Sequence, residues 1–150
     1  MVDAHRFPSQ MPELHVKNRV LANRHEVGRA LRPCHQVDHS EHPTEWVELY
    51  NTTSDRLDIG GMWIDDRIGG KGPKLIPPGT ILEPSGYHVM DFTRFLNNGG
   101  DDVRLLGTNG AAVHDSYTYT SSERNRSYCR TPDGNDWSGS YCPPTKGAAN

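Results

Sequence analysis

Apolar and polar side chains alternate along Thr44-Glu45-Trp46-Val47-Glu48-Leu49-Tyr50-Asn51, and the alternation stops at Asn51, as in a β-strand with one buried face. Such a strand has to be completed by neighbours in a sheet and by a second layer over its apolar side. The run therefore points to a β-sandwich rather than to an enzyme active site.

Shorter segments repeat the signal. Leu57-Asp58-Ile59, interrupted at Gly60-Gly61 and resumed at Met62-Trp63-Ile64, reads as a strand, a kink and a second strand, with Trp63 in the core. Leu75-Ile76 and Ile81-Leu82 flank a Pro77-Pro78-Gly79-Thr80 turn, and Pro77 places that part at a sheet edge. Tyr87-His88-Val89-Met90 leaves the turn Pro84-Ser85-Gly86, and Asn97-Asn98-Gly99-Gly100 supplies residues that tolerate positive φ ahead of Val103-Arg104-Leu105. Asn109-Gly110 predicts a hairpin joining 103–106 to 112–119. Regular turn signals with no long helical period select an all-β fold.

The N-terminal third is less patterned. Residues 1–13, with Pro8 and Pro12, read as a loose tail. Val16-Lys17-Asn18-Arg19-Val20-Leu21-Ala22-Asn23 predicts a short edge strand. Residues 24–43, with Pro33, Pro43 and a crowd of histidines, read as an irregular insertion in a domain spanning 14–150.

Composition agrees, since 33% apolar residues with 15 Gly and 11 Pro suit short strands joined by tight turns. The formal charge of -3 is uneven: residues 45–150 carry 10 Lys+Arg against 14 Asp+Glu, and residues 1–44 carry 6 against 5. That surface is a poor electrostatic footprint for nucleic acid. No stretch approaches the roughly 18 apolar residues that span a bilayer, and Met1-Val2-Asp3-Ala4-His5-Arg6 lacks the layout of a signal peptide. Neither a membrane span nor a nucleic-acid partner is expected.

Three cysteines are too few for a disulfide scaffold, but Cys129 and Cys142 flank the turn Pro132-Asp133-Gly134 and are expected to pair, leaving Cys34 as the odd thiol. The alternative is two reduced, half-buried thiols.

Taken in order, these residues resemble the lamin-tail family, an immunoglobulin-like module. The 45–51 strand is followed in that family by a Gly-Trp step, matched by Gly61-Met62-Trp63 with one residue inserted. Pro78-Gly79-Thr80, Gly86-Tyr87 and Pro132-Asp133-Gly134 resemble its later turns and strands, as do Leu96-Asn97-Asn98-Gly99-Gly100-Asp101-Asp102-Val103-Arg104-Leu105 and the ending Pro144-Thr145-Lys146-Gly147-Ala148-Ala149-Asn150. Three features depart from it. Lys17 and Arg19 replace an apolar and an acidic residue, Lys146 replaces a proline, and 24–43 matches nothing. The resemblance implies an immunoglobulin-like antiparallel β-sandwich without catalysis of its own. It also implies a bacterial, extracellular or cell-surface setting in which adhesion, anchoring or targeting serves an attached domain.

Cys34, His35, His39 and His42 fall close together and suit Zn or Ni, but no partner pair appears later, and a solvated polar loop is the plainer reading. Asp65-Asp66 and Asp101-Asp102 lack the alternate acidic spacing of a calcium loop and read as loop caps. His114-Asp115-Ser116 lacks a nucleophile elbow, because neighbours in a strand point to opposite faces. Arg124, Arg126 and Arg130 alternate near Tyr117, Tyr119 and Tyr128, either as a basic stripe for phosphate or carbohydrate, or as partners of Glu123 and Asp115. Trp46, Trp63 and Trp137 read as core or rim packing.

The expectation is a binding or structural module, not an enzyme, with no cofactor, whose partner is an unidentified protein or surface polymer. The alternatives are a metal-binding accessory domain built on Cys34, His35, His39 and His42, and a fragment of a larger secreted hydrolase.

Overall fold

Alternation along the strands divides each of them between an apolar interior and an outer face, and two antiparallel sheets close over that interior. The computed structural model describes residues 14–19, 45–123 and 126–150, with the backbone alone described for 14–19. Its strands are β1 Leu14–Arg19, β2 Glu45–Asn51, β3 Leu57–Asp58, β4 Trp63–Asp65, β5 Lys74–Leu75, β6 Ile81–Leu82, β7 Tyr87–Phe92, β8 Asp101–Leu106, β9 Val113–Tyr119, β10 Ser127–Arg130 and β11 Trp137–Cys142. Among the described residues there is no helix. One sheet runs β11-β10-β1-β2-β7, the second β5-β4-β8-β9, and β3 pairs with β6 alone. The molecule is an all-β antiparallel sandwich.

Val47 and Leu49 of β2 meet Val103 and Leu105 of β8 and Ile64 of β4 in one core, completed by Ile59, Ile76, Leu82 and Phe95. Opposite faces of the same strands carry the rest. Glu48, fully buried, accepts the Gly147 N–H, and Lys146 reaches Asp91 on β7, so the C-terminal segment lies against the outer side of the first sheet.

β1 corrects the expectation of an edge strand over 16–23. It runs from Leu14 to Arg19 and lies between β10 and β2, with Asn18 opposite Tyr128 and Leu14 to Arg19 opposite Asn51 to Trp46. Ladder bonds join backbone to backbone, so polar residues at Lys17 and Arg19 do not keep the strand out of a central position. Residues 20–23 and the segments 1–13 and 24–43 lie outside the described residues.

Trp63 is a second correction. It is half-buried and stands apart from the core, because Ile64 takes the inward position on β4. The kink before it is real, with Gly61 at φ 82° and Gly60 so close to the Gly79 backbone that a Cβ there would meet its nitrogen at 2.5 Å.

Polar side chains close the long connections. Asn51, with no exposed surface, donates through Nδ2 to the carbonyls of Asp55 (2.7 Å), Leu82 (3.1 Å) and Glu83 (3.1 Å). Its Oδ1 accepts the Thr53 N–H at 2.9 Å and the Thr53 hydroxyl at 2.8 Å. Glu45 accepts the N–H groups of Phe95 and Leu96 at 2.8 and 2.7 Å. Asp101 accepts from the backbone of Asn97 (2.8 Å) and Arg67 (3.2 Å), and Asp66 from that of Lys71 (2.7 Å). Asp66 and Asp101 thus serve as loop caps.

Replacing Asn51→Ala leaves the buried Leu82 carbonyl and the partly buried groups of Thr53, Asp55 and Glu83 without this partner, at roughly 1–3 kcal/mol for a buried group left unpaired. Equilibrium urea unfolding should show a loss of at least about 2 kcal/mol; a variant as stable as the parent would refute the role assigned to this amide.

Candidate binding cleft

The β10–β11 hairpin turns through Pro132-Asp133-Gly134, with Gly134 at φ 84°. Beside this turn lies a shallow cleft of about 530 Å³, lined by Arg130, Thr131, Gly134, Asn135, Asp136, Trp137 and Ser138. Arg130 and Trp137 stand opposite each other across the two strands, which brings their side chains to one face.

Arg130 is the anchor. Its Nη2 donates to both carboxylate oxygens of Asp115 on β9, at 2.9 and 3.2 Å, and its Nη1 to the Asn135 carbonyl at 2.9 Å. The guanidinium lies 4.6 Å from the Trp137 ring centroid. Both members of the ion pair are close to nine-tenths buried, with side-chain exposures of 10% and 13%, and they join the two sheets. A forked contact of this kind fixes orientation as well as charge.

Behind the cleft an aromatic cluster fills the space between the sheets. Tyr117 lies 4.1 Å from Trp137 and 5.1 Å from Tyr128, and Tyr128 lies 5.5 Å from Tyr119 and 4.8 Å from Tyr141. Tyr117 and Tyr119 occupy alternate positions of β9, and Tyr128 pairs directly with Tyr141, so periodicity aligns the residues on each sheet and the packing of the two sheets brings them together. Burial pushes the phenols of Tyr117 and Tyr119 up and that of Tyr128 to about 12. Tyr87, which donates to Asp133 at 2.6 Å, is raised by burial and then by that carboxylate. Asn150 donates through Nδ2 to the Arg130 carbonyl at 2.6 Å and steadies the back of the hairpin.

Chemically the cleft offers fixed donors and acceptors. Thr131 and Ser138 supply hydroxyls, Asn135 an amide and Asp136 an exposed carboxylate, while the charge of Arg130 is met by Asp115. No histidine, lysine or cysteine lines it among the described residues.

Other residues singled out in the sequence are placed as follows. Cys129 and Cys142 are joined across β10 and β11, Cα atoms 6.1 Å apart, next to the cleft. Cys34, His35, His39 and His42 lie outside the described residues, as does Arg124. No basic stripe forms from the other two arginines: Arg126 precedes β10 and is exposed, whereas Arg130 points inward to Asp115. Asp115 is thereby withdrawn from any pairing with His114, and Ser116 is exposed. Asp65 is held by Arg104, and Asp102 accepts the Thr118 hydroxyl at 2.6 Å. Trp46 is buried, and Trp137 packs on the core while forming a wall of the cleft. For Asn135 and Asp136 the sequence carries no signal beyond the adjacent Pro132-Asp133-Gly134 turn.

No family model matches this chain, nor does any curated protein or solved structure.

Two outcomes follow from this geometry. Buried phenols with raised pKa values stay protonated in the folded chain after the unfolded chain has begun to ionise near pH 10. Their contribution is complete below about pH 10 and is lost above it, so stability falls as pH rises further. A near-ultraviolet titration should show phenolate signal arriving together with unfolding for the clustered tyrosines; smooth ionisation of all six in the folded state would contradict the burial. For the cysteines, denatured protein prepared without reductant should show one free thiol of the three, and three after reduction. Reduction should lower stability by about 3 kcal/mol for a loop of this length.

Proposed function

We propose that this chain is a non-catalytic binding or structural module of the bacterial lamin-tail type, immunoglobulin-like, acting outside the cell or at its surface. It anchors or targets an attached domain by holding a protein or a surface polymer at the β10–β11 cleft. The observation that carries this reading is the fixing of Arg130 by Asp115, Asn135 and Trp137, which leaves a rigid polar rim with its positive charge already met. A surface of that kind recognises by shape and hydrogen bonds, and its preorganisation lowers the ordering cost of binding.

The family assignment is supported by the ordered set of motifs and by the use this chain makes of one of them. Asn51, which ends the quoted strand, is the buried amide on which three segments converge.

Co-sedimentation with insoluble cell-wall polymer, run beside capture on immobilised surface proteins, tests the reading. Trp137→Ala and the exposed Asp136→Ala should each weaken retention by about tenfold, equivalent to about 1.4 kcal/mol, with Asp136→Ala leaving the thermal transition unchanged. Retention untouched by both substitutions removes the cleft from the proposal. Robust hydrolysis of ester, phosphoester or glycosidic substrates by the purified chain overturns the non-catalytic reading.

A further inference from the structure

The connection from β4 to β5 holds an aliphatic side chain out in solvent among cations. Gly70 donates to the Arg67 carbonyl at 2.9 Å, which puts Ile68 and Gly69 at the corners of a β-turn. Asp66, with no exposed surface, closes the turn from within by accepting the Lys71 N–H, and a Cβ at Gly70 would meet its carboxylate at 2.3 Å. The Arg67 N–H is tied to Asp101. Held in this way, Ile68 is 84% exposed, and a Cβ added at Gly69 would meet nothing within 4 Å.

The surroundings are basic. Residues 67–75 contain Arg67, Lys71 and Lys74 and no acid. Lys71 donates through Nζ to the Phe95 carbonyl at 3.2 Å and Lys74 Nζ lies 5.6 Å from the Phe95 ring, so the β7–β8 connection, with Arg94, runs alongside. All four cations are exposed, and among the described residues none is paired with a carboxylate. The acids of these connections are turned inward: Asp66 and Asp101 are buried against backbone N–H groups, as is Glu45 beneath Phe95 and Leu96.

We propose that this end of the sandwich docks on an anionic phospholipid surface. Ile68 enters the headgroup boundary, and Arg67, Lys71, Lys74 and Arg94 lie over the lipid phosphates. A lone exposed aliphatic residue on a protein surface calls for no explanation. This one is fixed by a buried carboxylate at the tip of a turn whose other side chains are cationic or absent. The tip also selects the partner. Cations serve any polyanion, whereas an aliphatic side chain gains only where it leaves water behind. The formal charge of -3 on the whole chain does not oppose docking, because charges beyond about 8 Å are screened at physiological salt. The cleft stays free. β2 starts at this end, where Glu45 binds Phe95 and Leu96. It finishes about 20 Å away, where Tyr50 pairs with Tyr87 and Tyr87 reaches Asp133 of the cleft turn.

Co-sedimentation with phosphatidylglycerol vesicles should retain the protein, phosphatidylcholine vesicles should not, and retention should fall as salt is raised. Ile68→Ser should weaken it by about tenfold. Arg67→Gln combined with Arg94→Gln should weaken it by about twentyfold. All three positions are exposed, so both variants should keep the parent's circular dichroism and melting. A parent chain left in the supernatant of the phosphatidylglycerol vesicles overturns the proposal, and so does equal retention on both kinds of vesicle. Retention that follows the arginines but ignores Ile68→Ser overturns the lipid surface in favour of a polar polyanion.

Discussion

The amide of Asn51 is the contact on which the remaining structure depends. β2 enters the core through Val47 and Leu49 and has to stop where the chain turns away; at that point five hydrogen bonds converge on one buried side chain. An amide suits the place because it donates and accepts together. Its Nδ2 gathers carbonyls from the 52–55 turn and from β6, and its Oδ1 holds the Thr53 N–H. A carboxylate would present acceptors to those carbonyls, and an alkyl group would leave the buried Leu82 carbonyl unpaired in the interior. β3 and β6 are only two residues each, and Asn51 adds to the core packing of Leu82 and Leu57 in holding them against the sandwich.

Elsewhere the chain applies the complementary device. Glu45, Asp66 and Asp101 are buried acids, and each accepts backbone N–H groups from a loop that has no regular partner. The connections bring buried apolar residues of their own, Ile59, Ile76, Phe95 and Leu96, and the backbone N–H groups carried inward with such residues need partners. A carboxylate placed there accepts N–H groups that no ladder reaches, two for Glu45 and one for Asp66. Desolvation raises the pKa of Asp65, whose main compensation is Arg104, a guanidinium and not a turn.

Strand periodicity made much of this legible in advance. The Asn109-Gly110 hairpin and the break at Gly60-Gly61 each carry a local rule that tertiary packing did not override, whereas the 45–51 run is a strand as expected but is buried on both faces rather than one. β1 misled because its side chains are poor indicators of a strand whose place is decided by two neighbouring ladders. Trp63 misled because size suggests burial, while the parity of the strand, fixed by Ile64, decides which way a residue faces. The cleft was hardly visible: Arg130 looked like one of three alternating cations, and only the approach of β9 in the other sheet shows it paired with Asp115. Contacts between sheets join residues distant in sequence, and no local period records them.

One irregularity of the second sheet decides which residues of β9 face the cleft and which face outward. Between Leu105 and Leu106 the pairing with β9 slips, so that Leu105 faces Asp115 and Leu106 faces Val113, with His114 as the extra residue. A bulge of this kind changes the parity of the bulged strand beyond it. In an unbroken ladder Leu106 would meet His114, and Val113 would fall on the same side as Asp115. The slip therefore keeps Asp115 inward, where the buried guanidinium of Arg130 requires a counter-charge, and turns Val113 outward into line with Leu106, Trp63 and Leu75. A single additional residue thus satisfies two demands that strict alternation would set against each other: a charged inward position and an apolar outward one, two residues apart on the same strand.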